Sequence, residues 1–472
     1  MKSVGIIGAG ITGLTTAFCL QKRGVPVTVY EASGRVGGAI RSVYQDGYLA
    51  DFGPTTILET TRKIAGLFTD AGLDGRKLYS SEAAKNRYIV CNGRPVAVPD
   101  TPVKFFLSPL FSLKTKLRLL IEPFIPPRRD EHEESVAEFV LRRLGREFLE
   151  RAIDPLVSGI YAGDPYKLSV PQAFPRLHAL EQRYGSLIKG QILGAKERKQ
   201  RDEIPKMLAP KVSFDFGLSV LTETLAAKLG DAVQLHSAVK AIARQGDTWH
   251  VEFIRNGTRV RAEHSAIVFA GTAYALAELE LRAPERIDLS QFAKINYPPV
   301  ASVVLGFRRE DVEHPLDGYG VLVPRIEGLK ILGTLFSSSL YPNRAPAGHV
   351  TLTTYLGGAR APELALRPEH ELVEITLHDL ARVLGVKGRP TFQQCMVYPK
   401  AIPQYELGYG VFRAKLTEIE TSAPGLFFAG HYRDGISVGD SIMSGCRTAE
   451  RVEKYLSANQ QELPAQSRIV PA

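Results

Sequence analysis

Cysteine is scarce in this chain: Cys19, Cys91, Cys395 and Cys446 stand singly, with no CxxC pair and no dense framework. That excludes a disulfide-stapled scaffold and a thiolate metal cluster, leaves no metal site expected, and fits a reducing compartment. Long apolar runs are lacking as well, so no stretch reaches the roughly 18 apolar residues of a membrane-spanning helix. No zinc-finger, RNP-like or basic-zipper pattern accompanies the basic residues, and nucleic acid is not an expected partner. With the first strand expected from Val4, neither a signal nor a transit peptide is expected ahead of it.

What is present is a long, ordinary globular composition. At about 150 residues per domain, 472 residues suggest two to four domains, with room for a large buried ligand. Lys plus Arg minus Asp plus Glu is 59 − 50 = +9, which favours an anionic partner such as a phosphate, a carboxylate or an acidic membrane surface.

Residues 4–8 (VGIIG) read as a buried parallel strand, Ile11 to Arg23 as a helix ended by Gly24, and Val27 to Tyr30 as the next strand, a βαβ opening. A helix is expected over 62–71, and a hairpin over Arg87 to Pro99 around Asn92-Gly93. Residues 103–129 mix large apolar residues with six basic and one acidic residue. There Leu113, Leu117, Leu120 and Ile121 are spaced for one helix face, with Lys114, Lys116 and Arg118 among them, as an interfacial helix requires. An internal pair of core helices is the alternative. A helix over 135–157 opens with Ser135 and Glu138 at capping-box spacing. After a charged stretch near Lys196 to Lys206 come a helix at 218–229, strands 249–254 and 258–262 paired through Asn256-Gly257, and a buried strand 266–270. Residues 296–415 alternate strands and turns with one helix; 425–430 is a last buried strand before a helix at 440–456.

Gly8-Ala9-Gly10-Ile11-Thr12-Gly13 lies between a strand and a helix, where glycines let backbone amides approach a pyrophosphate. Glu31 follows at the end of the second strand, where a carboxylate accepts from a ribose. The continuation, Glu31-Ala32-Ser33-Gly34-Arg35-Val36-Gly37-Gly38-Ala39-Ile40-Arg41-Ser42, resembles the extended fingerprint of the amine oxidase and phytoene desaturase flavoproteins, and its two arginines suit a diphosphate. The resemblance implies noncovalent FAD. In the matching late position, residues 429–440 precede a helix, and the carry-over places Gly430, Ile436, Ser437 and Val438 at the flavin.

A narrower resemblance, to the protoporphyrinogen oxidase family, rests on segments across nearly the whole chain. They are DFGPT at 51–55, Arg87 to Pro99, PLVSGIYAGDPYKLSVPQAFPRL and GSLIKG within 135–190, GTLFSSSLYPNR at 333–344, Tyr355 to Gly358, and Pro403-Gln404-Tyr405 with Gly408. It implies an α/β fold of p-hydroxybenzoate hydroxylase or amine oxidase-like architecture: a discontinuous Rossmann-like FAD-binding domain (1–80, 205–285, 416–460), a mixed α/β substrate domain (81–100, 286–415), a helical membrane-associating domain (101–204) and a disordered tail (461–472). Phe52, Gly53, Pro54, Thr55 and, by a looser alignment, Val239 join the cofactor residues. Arg87 matches an arginine that pairs with a ring propionate, Gly159 a glycine that lets a pyrrole approach, and Tyr319, Leu322 and Tyr355 positions that hold the macrocycle.

The implied reaction is six-electron oxidation of a porphyrinogen in three flavin-mediated rounds, with O2 or another electron acceptor. No catalytic residue is assigned, and His431 departs from the small or amide residue expected there. Implied surroundings are the cytoplasm, peripherally on a bacterial cytoplasmic membrane, with a homodimer and a ferrochelatase contact compatible with the family. Open alternatives are a coproporphyrinogen oxidase, an amine or polyene oxidase and a non-catalytic flavin scaffold; Cys446 reads as a packed thiol rather than a flavin-linking one.

Overall fold

Val4–Ile7 is apolar and buried at every position, which suits the centre of a sheet covered on both faces. In the computed structural model, which describes residues 3–194, 204 and 209–461 (side chains to 458), it is the middle strand of five. Val233–Gln234, Val27–Tyr30, Val4–Ile7, Ala266–Phe269 and Leu426–Phe428 lie side by side, all parallel. Chain contacts gather this sheet into one compact unit, Met1–Gly38, Thr222–Lys294 and Phe412–Ala472. Helix Ile11–Lys22 packs on Val438–Gln461 so closely that a Cβ at Gly445 would stand 2.7 Å from Thr12 O. The Cys446 and Cys19 sulfurs lie 4.0 Å apart across that seam, and neither is in a disulfide. A second sheet in this unit runs Thr258–His264, Thr248–Arg255, Ser237–Gln245, Glu280–Arg282 and Arg286–Ile287. Asn256 and Gly257, both at positive φ, make its expected hairpin turn.

The second unit comprises Ala39–Leu221 and Ile295–Val411. Its seven-stranded sheet has the order Phe392–Tyr398, Val300–Arg308, His349–Gly357, Ile331–Phe336, Gly318–Leu322, Asn86–Cys91 and Arg94–Ala97. Period-two alternation divides the sheet's faces. Tyr88, Val90, Val303, Val321 and Leu352 enter one core cluster with Leu372, Leu380 and Val383 of helix Glu369–Leu384. The opposite face carries Ile89 and Leu322 in another cluster, packed with Phe111 and Phe148 of the helical segments. Farther across that face the hairpin Ser42–Gln45 and Tyr48–Asp51 covers Val304 and Phe392, and the Tyr48 ring would lie 2.4 Å from a Cβ at Gly306.

Several expectations are corrected. The helix over 135–157 is broken: Val136–Arg143 ends, Gly145 takes φ 92, and the chain restarts through Arg146–Phe148 and a wide turn before Asp154–Tyr161. Glycine at positive φ permits that break, while the capping box at Ser135 forms as the spacing suggests. The last helix is longer than 440–456, and residues 296–415 hold short helices besides the long one. The sheet-bearing unit takes 1–38 rather than 1–80, because the hairpin at 42–51 pairs with itself and packs on the seven-stranded sheet. Residues 101–194 share a unit with that sheet instead of clustering apart. The charged stretch at 196–206, apart from Ile204, and the tail from 462 lie outside the described residues.

The basic face expected on the helix Leu113–Ile121 is also corrected. Lys116 is buried and donates to Phe106 O (2.7 Å) and Ser108 O (2.9 Å). Arg118 donates to Leu141 O and Arg142 O, the free carbonyls at the end of Val136–Arg143. These two cations hold the helix to the body, while Lys114 stays exposed with Leu113, Leu117, Leu120 and Ile121.

Candidate functional site

In the first unit the turn after the central strand is shaped by glycine. Gly8 sits at φ 104, and a Cβ on Gly13 would lie 1.9 Å from Gly8 O, so the helix starts against the turn. Among the described residues nothing stands within 4 Å of a Cβ at Gly10, which leaves open space over the start of Ile11–Lys22. Glu31 ties the turn from beside: one carboxylate oxygen accepts from Ala9 N at 2.8 Å, the other from Ser33 N and Ser33 Oγ at 2.9 and 2.8 Å. A carboxylate has about four acceptor positions, so one remains for a ribose hydroxyl. These residues fit a dinucleotide: first-turn amides free for phosphate, open space above Gly10, and an acceptor at the strand end.

Ala32, Arg35 and Gly38 lie on the exposed loop beyond, where Arg35 Nη1 donates to Val36 O at 3.1 Å. Val239 stands at a bulge of Ser237–Gln245, half-buried. At the late segment Gly430 takes φ 121 and its amide donates to Ser444 Oγ at 2.9 Å. Ser437 Oγ accepts from Asp440 N at 3.1 Å and donates to its carboxylate at 2.6 Å, capping Val438–Gln461. Ile436 precedes that cap. Burial pushes the His431 imidazole down to about 4, so the ring is neutral near pH 7.

The other residues lie in the second unit. Ala39, Arg41 and Phe52 to Thr55 are laid together: Phe52 N donates to Arg41 O at 3.0 Å, and a Cβ at Gly53 would sit 2.2 Å from Ala39 O. Tyr398 OH donates to Ala39 O at 3.1 Å and Tyr355 OH to Gly53 O at 3.0 Å. Pairing register then places Ile89, Leu322, Gly333, Tyr355, Ser302 and Met396 in one row across the sheet. Gly333, between Leu322 and Tyr355, lets the leucine lie over the strand: a Cβ there would come 2.7 Å from Val321 O and 3.2 Å from Leu322 Cδ2. Gly159 faces the same leucine, and a Cβ there would come within 2.4 Å of Leu322 Cδ2.

Arg87, two residues before Ile89, projects from the same face of the strand. Tyr319 joins Tyr341 and Leu340 in a small cluster, and Tyr341 OH donates to Thr56 Oγ1 at 3.2 Å. Burial raises the phenol pKa of both Tyr319 and Tyr355, yet both residues stay partly accessible, so neither is sealed in a filled core. Arg87, Gly159, Tyr319, Leu322 and Tyr355 therefore share one face of one unit, while Gly8 to Gly13, Glu31 to Gly38, Val239 and Gly430 to Val438 belong to the other.

Sequence reasoning passed over Lys211, which stands beside Tyr319 with its ammonium 5.9 Å from the ring centroid. A single lysine opening a short strand carries no pattern that would have flagged it. Ser302 was also missed; it is wholly buried, and its hydroxyl has no hydrogen-bond partner among the described residues.

Comparison with known proteins agrees with this arrangement. Residues 11–453 match the family described as flavin containing amine oxidoreductase. Protoporphyrinogen oxidase 2, chloroplastic/mitochondrial, of Arabidopsis thaliana is 36% identical over 97% of this chain and 95% of its own. Coproporphyrinogen III oxidase of Bacillus subtilis (strain 168) is 30% identical over 96% of this chain and 98% of its own. A crystal structure from Exiguobacterium sp. 255-15 superposes with a TM-score of 0.79 at 22% identity, covering 96% of this chain and 99% of that one, and so shares the fold. The open glycine turn, the poised Glu31 carboxylate and a match over nearly the whole chain agree: the protein belongs to the flavin containing amine oxidoreductases, within them to the protoporphyrinogen oxidase family, and its cofactor is FAD.

Proposed function

We propose that this chain oxidises a porphyrinogen to the porphyrin, with protoporphyrinogen IX preferred and O2 as the acceptor. The observation that carries the reading is the face built from Gly159, Leu322, Gly333 and Tyr355, with Arg87 projecting from the same side. An apolar wall, with Leu322 packed close on Gly159 and Gly333 beside Tyr355, suits a broad, flexible tetrapyrrole, and a cation suits its acidic side chains.

FAD held at the Gly8 to Gly13 turn and Glu31 would supply two-electron hydride acceptance, so six electrons imply three rounds. The chain's own part is to hold the macrocycle: Leu322 and Tyr355 pack against it, Gly159 lets Leu322 sit close to its helix, and Arg87 fixes the acidic edge. No side chain is assigned as a general base.

The direct test follows porphyrin fluorescence with protoporphyrinogen IX and coproporphyrinogen III side by side. Arg87→Ala is expected to raise KM about tenfold with little change in kcat, as loss of a charge-assisted contact worth about 1.5–3 kcal/mol implies. Oxidation of neither substrate by the flavin-loaded protein would refute the reading. A preference for coproporphyrinogen is the second reading, favoured by the Bacillus subtilis relative.

Peripheral attachment to the cytoplasmic face of a membrane belongs to the same proposal. Leu107, Leu113, Leu117, Leu120, Ile121 and Phe124 are 79%, 69%, 53%, 56%, 55% and 82% exposed and make an apolar surface. No described helix is long and apolar enough to span a bilayer, so attachment would be interfacial. Leu113→Glu with Leu117→Glu is expected to cut cosedimentation with anionic phospholipid vesicles about tenfold or more while turnover in detergent persists; unchanged cosedimentation would refute attachment through this helix. A homodimer and delivery of the porphyrin to a ferrochelatase complete the proposal and are tested by light scattering and pull-down.

A further inference from the structure

Two cations stand near Tyr319 with no acid among the described residues to answer them. Arg87 lies on Asn86–Cys91, beside Gly318–Leu322, which carries Tyr319. Lys211 opens the strand Lys211–Phe214, held from both sides by pairing with Ile57–Leu58 and Lys77–Tyr79. Ser80 N donates to its carbonyl at 2.9 Å, so its backbone is fixed and only the side chain is free to choose a direction. That side chain is half-buried, with Nζ 5.9 Å from the Tyr319 ring centroid. Burial first, and then the nearby Arg87 charge, lower its pKa.

Neighbouring cations of this unit are answered. Arg344 has Asp51 at 3.5 Å, Arg76 has Asp215 at 2.9 Å, and Lys77 has Asp74 at 3.8 Å. Neither Arg87 nor Lys211 has a carboxylate or a side-chain hydrogen bond among the described residues. Two half-buried like charges beside an aromatic ring are unfavourable alone and become favourable when an anion enters between them. The walls around them are apolar and aromatic rather than built for a free inorganic ion.

We propose that Lys211 is a second carboxylate anchor: with Arg87 it forms a two-cation site for the two neighbouring acidic side chains on one edge of the tetrapyrrole, with Tyr319 as the wall beside them. The inference rests on the porphyrinogen reading above and adds to it a residue and a recognition rule. Protoporphyrinogen and coproporphyrinogen share that diacid edge, so Lys211 sets affinity for both and does not choose between them. Discrimination falls to whatever meets the opposite edge.

The experiment measures equilibrium binding of protoporphyrin IX and of its dimethyl ester to the flavin-loaded protein by porphyrin fluorescence. The wild type should bind the diacid more tightly than the ester. Lys211→Met should lose about tenfold of the diacid affinity, as one charged contact implies, with ester binding unchanged, and Lys211→Arg should restore it. Flavin content per chain checks that each variant is folded. Diacid binding unchanged in Lys211→Met but weakened in Arg87→Met would overturn the proposal and leave the porphyrinogen reading standing. Equal loss for diacid and ester would overturn it as well, by making Lys211 a packing residue. A wild type that binds neither ligand would overturn the porphyrinogen reading itself.

Discussion

Gly13→Val is expected to yield a colourless protein. The Cβ it introduces would lie 1.9 Å from Gly8 O and 3.1 Å from Gly8 C. Those are backbone atoms of the turn leaving the central strand, and Gly8 is itself held at φ 104, so no side chain can swing aside. The helix Ile11–Lys22 would have to retreat, taking its first-turn amides off the open space above Gly10. Overpacking costs about 1–3 kcal/mol where side chains relax and more against backbone, which at about 1.4 kcal/mol per decade implies at least a hundredfold loss of FAD affinity. Gly10→Ala is the control, because nothing lies within 4 Å of its Cβ. It should leave the flavin-free melting temperature unchanged while still weakening FAD, since the methyl group fills space meant for the cofactor. Flavin released per chain on denaturation reads both. A Gly13→Val protein that retains FAD with wild-type affinity would remove the turn from the cofactor site.

How much of this was legible in the sequence depends on how local the signal is. The turn at Gly8 to Gly13, Glu31 at the strand end, the Asn256-Gly257 hairpin and the Ser135 capping box are set within a few residues, and each forms as its spacing suggests. Signals that need partners distant in sequence were not readable. The row through Leu322, Gly333 and Tyr355 depends on strand register, and a shift of one residue would turn Tyr355 to the other face. Lys116 and Arg118 looked like the basic side of an interfacial helix, whereas their carbonyl acceptors come from a neighbouring turn and from a helix more than twenty residues on. The break at Gly145 was hidden because Val136 to Tyr161 keeps a helical apolar pattern on both sides of it. Lys211 had no pattern at all; it becomes visible only once Tyr319 and Arg87 are placed beside it.

Arg143→Met should be the most damaging single change to stability, and it bears on the proposed membrane face. Arg143 is wholly buried at the end of Val136–Arg143 and joins segments far apart in sequence. Nη1 meets Glu122 at 2.8 Å, Nη2 meets Glu181 at 2.6 Å, and Nη2 also donates to Gly185 O at 2.7 Å. Glu122 in turn accepts from Ser186 Oγ at 2.6 Å and from Leu187 N at 3.0 Å, fixing the start of Leu187–Leu193. Methionine would fill the volume but leave Glu122 without its cation and Glu181 with Arg142 alone, and stranding a buried charge costs about 3–5 kcal/mol. The sign with pH follows from Glu181. Burial pushes its carboxyl up, but Arg142 and Arg143 more than offset that and hold it below the ordinary value. Its stabilising contribution is thus present above the unfolded carboxylate pKa of about 4.3 and fades as pH falls through the folded one. In the variant Glu181 loses one of the two cations that hold its pKa down, so the gap in thermal stability should be widest near pH 7 and narrow as pH falls into the carboxylate range. Arg143→Lys keeps the charge with fewer donors and should fall between the two. Because Glu122 directly follows Leu113–Ile121, Arg143→Met should also loosen that exposed apolar helix, speeding proteolysis there and weakening vesicle binding together. A loss below about 1 kcal/mol, or a gap that widens in acid, would mean that the pair is solvated and that the helix is held by its apolar packing instead.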